Sequence, residues 1–143
     1  MSPMADRDEI EANRDIVVRF YEELCNKWRL DLIDDILSEK IRFRASLGSI
    51  VSGRDEFKHY LKRIRTAFPD WHHRIDDVLA VGDRVVVRLT YSGTHSGRFG
   101  DLEATGAYVE YVGAGFFRLS GGLIDEAWVV GDTQEFWRGL GKL

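Results

Sequence analysis

The spacing of hydrophobic positions changes near Pro69. Before it, apolar side chains recur every three or four residues, which predicts amphipathic helices. The three predicted helices cover residues 8–26, 30–37 and 54–67, with a short strand over 41–45 and a turn or irregular strand over 47–52. Pro69 ends the third helix, because a proline disfavours helix in the residue before it.

After Pro69 apolar and polar residues alternate, which predicts strands. The predicted strands cover residues 71–81, 84–93, 108–119 and 123–131. Gly82-Asp83 and Ser120-Gly121-Gly122 are hairpin turn signals, and a glycine-rich loop covers residues 94–106. A short closing helix runs to Leu140, with Asp132 or Thr133 as its N-cap.

Helices followed by a run of antiparallel strands are typical of the α+β class. We predict one domain over residues 1–143, with residues 1–7 as a flexible tail. A curved antiparallel sheet packed against three N-terminal helices would form a cone, and Gly113 and Gly115 suit a sheet that bends. Such a cone is a natural pocket for an apolar ligand.

Composition narrows the possible partners. The chain has 143 residues, of which 44% are hydrophobic and 31% charged, and its net charge is −4. A net negative charge argues against nucleic acid as the main partner. Lys58, Lys62, Arg63 and Arg65 recur at helical spacing. They form either a solvated helix face, which we favour, or a binding patch.

Several function classes lack their sequence signals. Cys25, the single cysteine, cannot form an intramolecular disulfide, and we interpret it as a buried small hydrophobe rather than a nucleophile. No segment resembles a signal peptide or a membrane helix, so we expect a cytoplasmic protein. The chain has no nucleotide-binding glycine motif, metal-ligand cluster or nucleophile elbow.

Glu126 is the first candidate for catalysis. Strict alternation on the last strand places Glu126 on one face with the apolar residues Ile124, Trp128 and Val130, so that face should point inward. Burial raises the pKa of a carboxyl group, which suits a general acid or base near neutral pH. The alternative is a buried glutamate that pairs with an arginine, such as Arg88 or Arg118, for structure alone.

Short motifs over residues 14–140 resemble the SnoaL-like polyketide cyclase family, within the nuclear transport factor 2-like and ketosteroid isomerase-like superfamily. The motifs are Phe20-Tyr21-Glu22-Glu23-Leu24-Cys25-Asn26, Phe68-Pro69-Asp70, Gly82-Asp83-Arg84-Val85, Gly93-Thr94-His95-Ser96-Gly97, Ala104-Thr105-Gly106, Phe117-Arg118-Leu119, Gly122-Leu123-Ile124 and Glu126-Ala127-Trp128. They occur in the family's order and at its spacings.

The resemblance implies a cone-shaped, usually dimeric protein that needs no metal or cofactor. Named members close a ring of an aromatic polyketide by intramolecular aldol condensation, as in antibiotic biosynthesis. Relatives with this fold hydroxylate polyketides, isomerise ketosteroids or open epoxides, so the fold does not fix the reaction. Glu126 matches the position of the family's catalytic carboxylate.

Further residues are candidates for the site. His95 would support an enolate oxygen or move a proton, or else fix its loop. Tyr21 would offer its hydroxyl to a ligand or pack in the core. The aromatic residues that would either contact a ligand or pack in the core are Phe57, Phe68, Trp71, Phe116 and Trp128. Only one of His72 and His73 can point inward, and Asp132 either caps the last helix or lies at the pocket rim.

Two functions follow from these observations. The first is an acid/base enzyme acting on an apolar, polyketide-like molecule. The second is a non-catalytic homodimer whose pocket binds a ligand or is filled by side chains. The absence of a histidine over Tyr111–Gly115, where some cyclases carry one, supports the second function. A pocket under roughly 300 Å³ would also favour it.

Overall fold

A computed structural model describes residues 7–143. The helices at the start of the chain pack on one side of the sheet. They are α1 (Arg7–Arg19), which continues as a π-helical turn over Phe20–Cys25, a 3₁₀ turn at Leu30–Leu32, α2 (Ile33–Ile36) and α3 (Arg54–Ala67). A last helix, α4 (Thr133–Gly139), follows the sheet. Residues 1–6 of the predicted tail lie outside the described residues, whereas Arg7 begins α1.

Six strands form one sheet. They are β1 (Leu37–Arg44), β2 (Ile50–Ser52), β3 (His72–Val81), β4 (Arg84–Thr94), β5 (Tyr108–Ser120) and β6 (Leu123–Gly131). The strand order is β2-β1-β6-β5-β4-β3. The long strands agree with the sequence prediction to within a residue or two, and the α+β class with a curved sheet against helices is confirmed.

The sheet is mixed rather than purely antiparallel. Strand β1 begins at Leu37, four residues earlier than predicted, and pairs with β6 in parallel. Leu37 ends the predicted second helix because it continues the apolar spacing of the preceding turn. Pairing with β6 overrides that local preference.

A β-bulge near the start of β6 changes which side chains point inward. Leu119 pairs with Ile124, but Arg118 pairs with Glu126, so Asp125 is the extra residue. Ile124 is therefore buried, and after the bulge the buried residues are Ala127 and Val129. A single extra residue reverses the alternation of a strand beyond it.

The core lies between the concave face of the sheet and the helices. Its largest side chains are aromatic, and Phe20, Phe57, Phe68, Phe117 and Phe136 are almost fully buried. Among the described residues, no helix is long and apolar enough to cross a membrane.

Candidate active site

An aromatic cavity lies inside the cone, between the π-helical turn, α3 and the inner face of β3–β6. Its walls are mostly phenylalanine, leucine and tryptophan side chains. The polar groups that reach it belong to neutral residues, namely Tyr21, Cys25, Ser46, Tyr60, His73, Tyr91 and Tyr111. Among the described residues, no aspartate, glutamate, lysine or arginine lines it. Any chemistry in this cavity must therefore use phenol, imidazole, thiol or hydroxyl groups.

The π-helical turn at the end of α1 brings Tyr21 into the cavity. Its wider winding is visible in the bond from the Asn26 N–H to the Tyr21 carbonyl, five residues earlier, at 2.9 Å. Such turns are frequent at functional sites. Gly115 on β5 provides the space, because a Cβ added there would lie 2.8 Å from the Tyr21 hydroxyl. Burial, as its main cause, raises the pKa of Tyr21 well above 10.

Tyr91 carries a buried hydroxyl that has no hydrogen-bond partner in the protein. The residue is 4% exposed, lies on the inner face of β4 and lines the cavity. Gly113 makes room for its ring, since a Cβ there would lie 2.6 Å from Tyr91 Cε2. A buried polar group without a partner costs about 1–3 kcal/mol. The hydroxyl is thus available to a ligand oxygen, and burial raises its pKa above the ordinary value, so it stays protonated.

Tyr111 contrasts with Tyr91, its neighbour across the sheet. The two ring centroids are 4.8 Å apart, but the Tyr111 hydroxyl lies 3.0 Å from Ser46 Oγ and is hydrogen-bonded to it. Burial raises the pKa of Tyr111 to about 12, and the bond to Ser46 opposes that change. Of these two phenols, only Tyr91 has its hydrogen-bonding capacity free.

His73 is held in one orientation by Asn26. The Asn26 side chain accepts from the His73 backbone N–H at 2.9 Å and donates to its carbonyl at 2.7 Å. His73 Nδ1 lies 3.3 Å from Asn26 Oδ1. Because an amide oxygen can only accept, this contact assigns the proton to Nδ1 and leaves Nε2 as an acceptor. Burial, with a smaller contribution from His72, lowers the pKa of His73 to about 3, so the ring is neutral at physiological pH.

The inward orientation of His73 agrees with the prediction that only one of two adjacent histidines faces the pocket. His72, on the opposite face of β3, is exposed. Alternation on β3 could not say which one pointed inward. Asn26 decides it, by pairing with the His73 backbone.

Three of the five predicted aromatic walls line the cavity. Phe57 and Phe68 are almost fully buried there, and the Trp71 indole stacks near Tyr91 with ring centroids 6.2 Å apart. The assignment of Phe116 and Trp128 to the pocket is wrong. They pair with each other across β5 and β6 on the outer face, where they are 45% and 46% exposed.

The predicted inward orientation of Glu126 is also wrong, because the bulge at Asp125 turns Glu126 to the outer face. Its side chain is 45% exposed and lies 3.5 Å from Arg118 Nη2. Arg118 also donates to Asp125 at 3.1 Å. The pairing with an arginine agrees with the structural alternative, but Glu126 is half exposed rather than buried.

His95 is fully buried but lies behind Phe68, outside the lining of the cavity. The two ring centroids are 5.2 Å apart. His95 Nδ1 accepts from the Thr105 backbone N–H at 3.2 Å and lies 3.0 Å from Thr105 Oγ1, while Nε2 has no partner. These contacts join the two ends of the 94–106 loop, as the loop-fixing alternative expects.

Two other predictions are confirmed by the structure. The Asp132 side chain accepts from the Glu135 N–H at 3.2 Å and so caps α4. Cys25 is buried in the cavity wall, and burial raises the pKa of its thiol, which keeps it protonated. Over residues 7–143, no three His, Cys, Asp or Glu side chains meet as metal ligands would.

The cavity is small and adjoins a larger groove. The enclosed volume is about 60 Å³, and the groove outside has about 770 Å³. The side chains that line both spaces, and so separate them, are Leu47, Tyr60, Ile64 and Phe99. A ligand of drug size needs roughly 300 Å³ or more. It can enter only if these side chains rotate, or if only part of it lies inside.

Alternation on β4 and β5 would have located Tyr91 and Tyr111, which sequence reasoning missed. Tyr91 follows the buried residues Val87 and Leu89 at every second position, and Tyr111 follows Val109. The pairing of β4 with β5 has no bulge, so alternation holds over both residues, whereas the bulge on β6 breaks it. Tyr60 lies on a helix among apolar residues, and helical spacing does not separate it from a core residue.

Comparisons with known proteins identify the family of the chain and give solved structures with the same fold. The model of the SnoaL-like polyketide cyclase family matches residues 15–140. A candidate SnoaL-like polyketide cyclase from Jannaschia sp. CCS1 is 20% identical, with a TM-score of 0.86 over 97% of this chain and 99% of that one. AclR, a candidate hydroxylase from Streptomyces galilaeus, is 26% identical, with a TM-score of 0.80 over 94% and 87%.

A third solved structure, IdmH, a candidate polyketide cyclase from Streptomyces antibioticus, is 22% identical. Its TM-score is 0.78 over 90% of this chain and 98% of that one. No curated protein is significantly similar to the chain in sequence. The family predicted from short motifs is therefore confirmed.

Proposed function

Because the chain belongs to the SnoaL-like polyketide cyclase family, we propose that it catalyses acid/base chemistry on an apolar, polyketide-like carbonyl compound in the aromatic cavity. The reaction we favour is intramolecular aldol ring closure without metal or cofactor. The observation that carries the proposal is the buried, unpartnered hydroxyl of Tyr91 inside this cavity. A carbonyl oxygen of the ligand would supply the missing partner.

His73 is the proton acceptor in this scheme. Its Nε2 takes a proton from the ligand carbon between two carbonyl groups, and Tyr91 donates a hydrogen bond to the enolate oxygen. The enolate carbon forms a bond to a second carbonyl carbon, and the oxygen of that carbonyl takes the proton back from His73. The product is an isomer of the substrate, so no oxidant or reductant is consumed. A pKa of about 3 makes His73 a weak base, so removal of the proton depends on the hydrogen bond by which Tyr91 stabilises the enolate, and the same low pKa favours return of the proton.

The aromatic walls hold the ligand flat. Tyr21, Phe57, Phe68 and Trp71 surround the space next to Tyr91, and ring stacking there would bring the reacting carbons together. His95 would act through the 94–106 loop and Phe68, as a positioning residue. Catalysis by Glu126 or His95 stays a prediction, and the positions of both side chains outside the cavity lining argue against it.

Other reactions on the same class of ligand are alternatives to ring closure. Isomerisation and epoxide opening also need an apolar pocket with a proton donor and acceptor, and hydroxylation needs an oxidant such as molecular oxygen in addition. The solved structure of AclR, a candidate hydroxylase, is the most identical of the three compared. Product analysis distinguishes these reactions from ring closure, because only ring closure leaves the mass unchanged and forms a new carbon–carbon bond.

The test is incubation of the purified chain with a panel of polyketide ring-closure precursors, with product mass and structure determined and binding measured in parallel. Formation of a cyclic isomer faster than in buffer supports the proposal. Binding without turnover of any precursor would contradict the enzymatic function. A product that has gained an oxygen atom or a water molecule, or an isomer without a new carbon–carbon bond, would replace ring closure by one of the other reactions.

The second candidate is a non-catalytic binding protein. The enclosed volume of about 60 Å³ favours it, because a cavity filled by its own side chains accepts little more than a small fragment. Binding of small phenols with no turnover of any precursor is the pattern that this candidate expects.

We also propose a homodimer formed through the outer face of the sheet. Large apolar side chains are exposed there, namely Tyr108, Val112, Phe116 and Trp128, which are between 45% and 61% exposed. Exposed apolar patches of this kind mark interfaces. Sedimentation should give a dimer for the wild type and a monomer for Trp128→Glu. A monomeric wild type would contradict the dimer. We also propose that the protein is cytoplasmic.

A further inference from the structure

The groove outside the cavity carries positive charge and no negative charge in its lining. It is lined by Lys62 and Arg63 from α3 and by Arg98 from the 94–106 loop, with His59 beside them. No aspartate or glutamate belongs to the lining. This local excess is notable because the whole chain has 24 acidic and 20 basic residues and a net charge of −4.

The charges of this groove are largely unpaired. Elsewhere in the fold, eight arginines lie within 4.0 Å of a carboxylate, namely Arg14, Arg19, Arg29, Arg54, Arg74, Arg84, Arg118 and Arg138, whereas Arg42, Arg44, Arg65 and Arg88 have no ion pair among the described residues. Lys62 and Arg63 have no such partner among the described residues. Arg98 has one, Glu103 at 3.4 Å, where both side chains are well exposed. Arg63 lies over the Tyr60 ring, with its guanidinium carbon 6.0 Å from the ring centroid.

The groove adjoins the cavity. Tyr60 and Ile64 line both spaces, and Lys62 and Arg63, which follow Tyr60 on α3, line the groove alone. The groove has about 770 Å³ and the cavity only about 60 Å³, so most of a polycyclic ligand must remain in the groove. That part of the ligand would lie against Lys62, Arg63 and Arg98.

We propose that the ligand carries an anionic group, such as a carboxylate or a phosphate, next to its apolar body. Lys62, Arg63 and Arg98 hold this group in the groove while the apolar part enters the cavity. This inference rests on the proposed function in taking the cavity as the ligand site. It adds a substrate class, an aromatic anion, and a direction of binding.

Three matched probes test it: 2-naphthoate, 2-naphthyl phosphate and neutral 2-naphthamide, titrated by calorimetry. At low salt one or both anions should bind about tenfold tighter than the amide, since each exposed ion pair contributes roughly 0.2–1 kcal/mol. Raising the salt concentration should remove most of this preference. The stronger of the two anions identifies the anionic group.

The variant Lys62→Glu/Arg63→Glu should lose the preference for anions and still bind the amide as the wild type does. The control Lys27→Glu/Lys40→Glu changes the net charge equally at exposed sites outside the groove. It should keep the preference. A preference that survives in the groove variant, or is lost equally in the control, would overturn the proposal.

Two further outcomes separate this inference from the proposed function. Equal binding of all three probes to the wild type would overturn the anionic substrate and leave the cavity as the ligand site. Binding of none of them would count against both. If the probes bind equally but an acidic protein binds the wild type and not the groove variant, the groove is a protein-docking surface instead, and the proposal fails.

Discussion

Successive side chains on strands β5 and β6 point to opposite faces of the sheet, and the two faces carry different chemistry. On the inner face, Gly113 and Gly115 leave room for the rings of Tyr91 and Tyr21, whose phenols are neutral. On the outer face, Arg118 pairs with Asp125 and Glu126 beside exposed aromatic rings. Ionised groups remain where water screens them, and the cavity keeps only groups that are uncharged when buried.

This difference bears on where a reaction can take place. Glu126 is paired with Arg118 on the outer face and does not reach the cavity. A neutral imidazole and a free phenol inside an apolar cavity act without competition from water. The candidates for catalysis are thus His73 and Tyr91 rather than Glu126.

The largest expected effect is that of His73→Gln, which removes the proton acceptor of the cavity. We expect kcat to fall by about a hundredfold or more, in line with loss of a general base. His72→Gln changes the neighbouring residue on the exposed side of β3 and should leave kcat unchanged. Turnover of the two variants with the same precursor checks this, and equal losses would contradict a special role for His73.

Tyr91→Phe should have the next largest effect, with kcat/KM lower by about tenfold or more because the enolate oxygen loses its donor. Its free energy of unfolding should be unchanged or about 1 kcal/mol higher, since an unpartnered buried hydroxyl is removed. Tyr111→Phe is the matched control. It breaks the bond to Ser46 and should lower the free energy of unfolding by about 1 kcal/mol. Urea denaturation measures the free energy of unfolding of both variants. Similar changes in the two variants would contradict the conclusion that the Tyr91 hydroxyl has no partner in the protein.

The stability of the fold should depend on the protonation of His73. Its pKa is about 3 in the folded state and 6.5 ordinarily, so between these values the unfolded chain binds the extra proton. Stability contributed by the neutral ring is complete above about pH 6.5 and declines as the pH falls towards 3, by about 1 kcal/mol per pH unit.

Denaturation of the wild type and of His73→Gln over this pH range measures that contribution. The difference between their free energies of unfolding should change with pH in this window and be constant above it. A difference that is constant throughout would show that the ring is not desolvated in the folded state.

Glu126→Gln should have the smallest effect, with kcat within about twofold of the wild type, because the carboxylate is half exposed and paired with Arg118. The same kinetic assay measures it, and the protein's melting temperature should fall by no more than a few degrees. A collapse of turnover with binding retained would return the catalytic role to Glu126.

The sequence predicted the fold well because its signals are local. The change of period at Pro69 and the turn at Gly82-Asp83 each act within a few residues, and the predicted strands match. The site was harder to predict, since it depends on two features that pattern alone does not encode. The bulge at Asp125 depends on pairing with β5, and the clamp on His73 comes from Asn26, 47 residues earlier.

The most direct test of the inner site is to observe which tryptophan senses a bound ligand. Trp71 lies in the cavity wall and Trp128 on the outer face, and their indole N–H signals can be assigned with Trp→Phe variants. On titration with 2-naphthol, nuclear magnetic resonance should show a saturable shift of the Trp71 signal and none of the Trp128 signal. A saturable shift of Trp128 with Trp71 unchanged would place the ligand on the outer face and contradict the account.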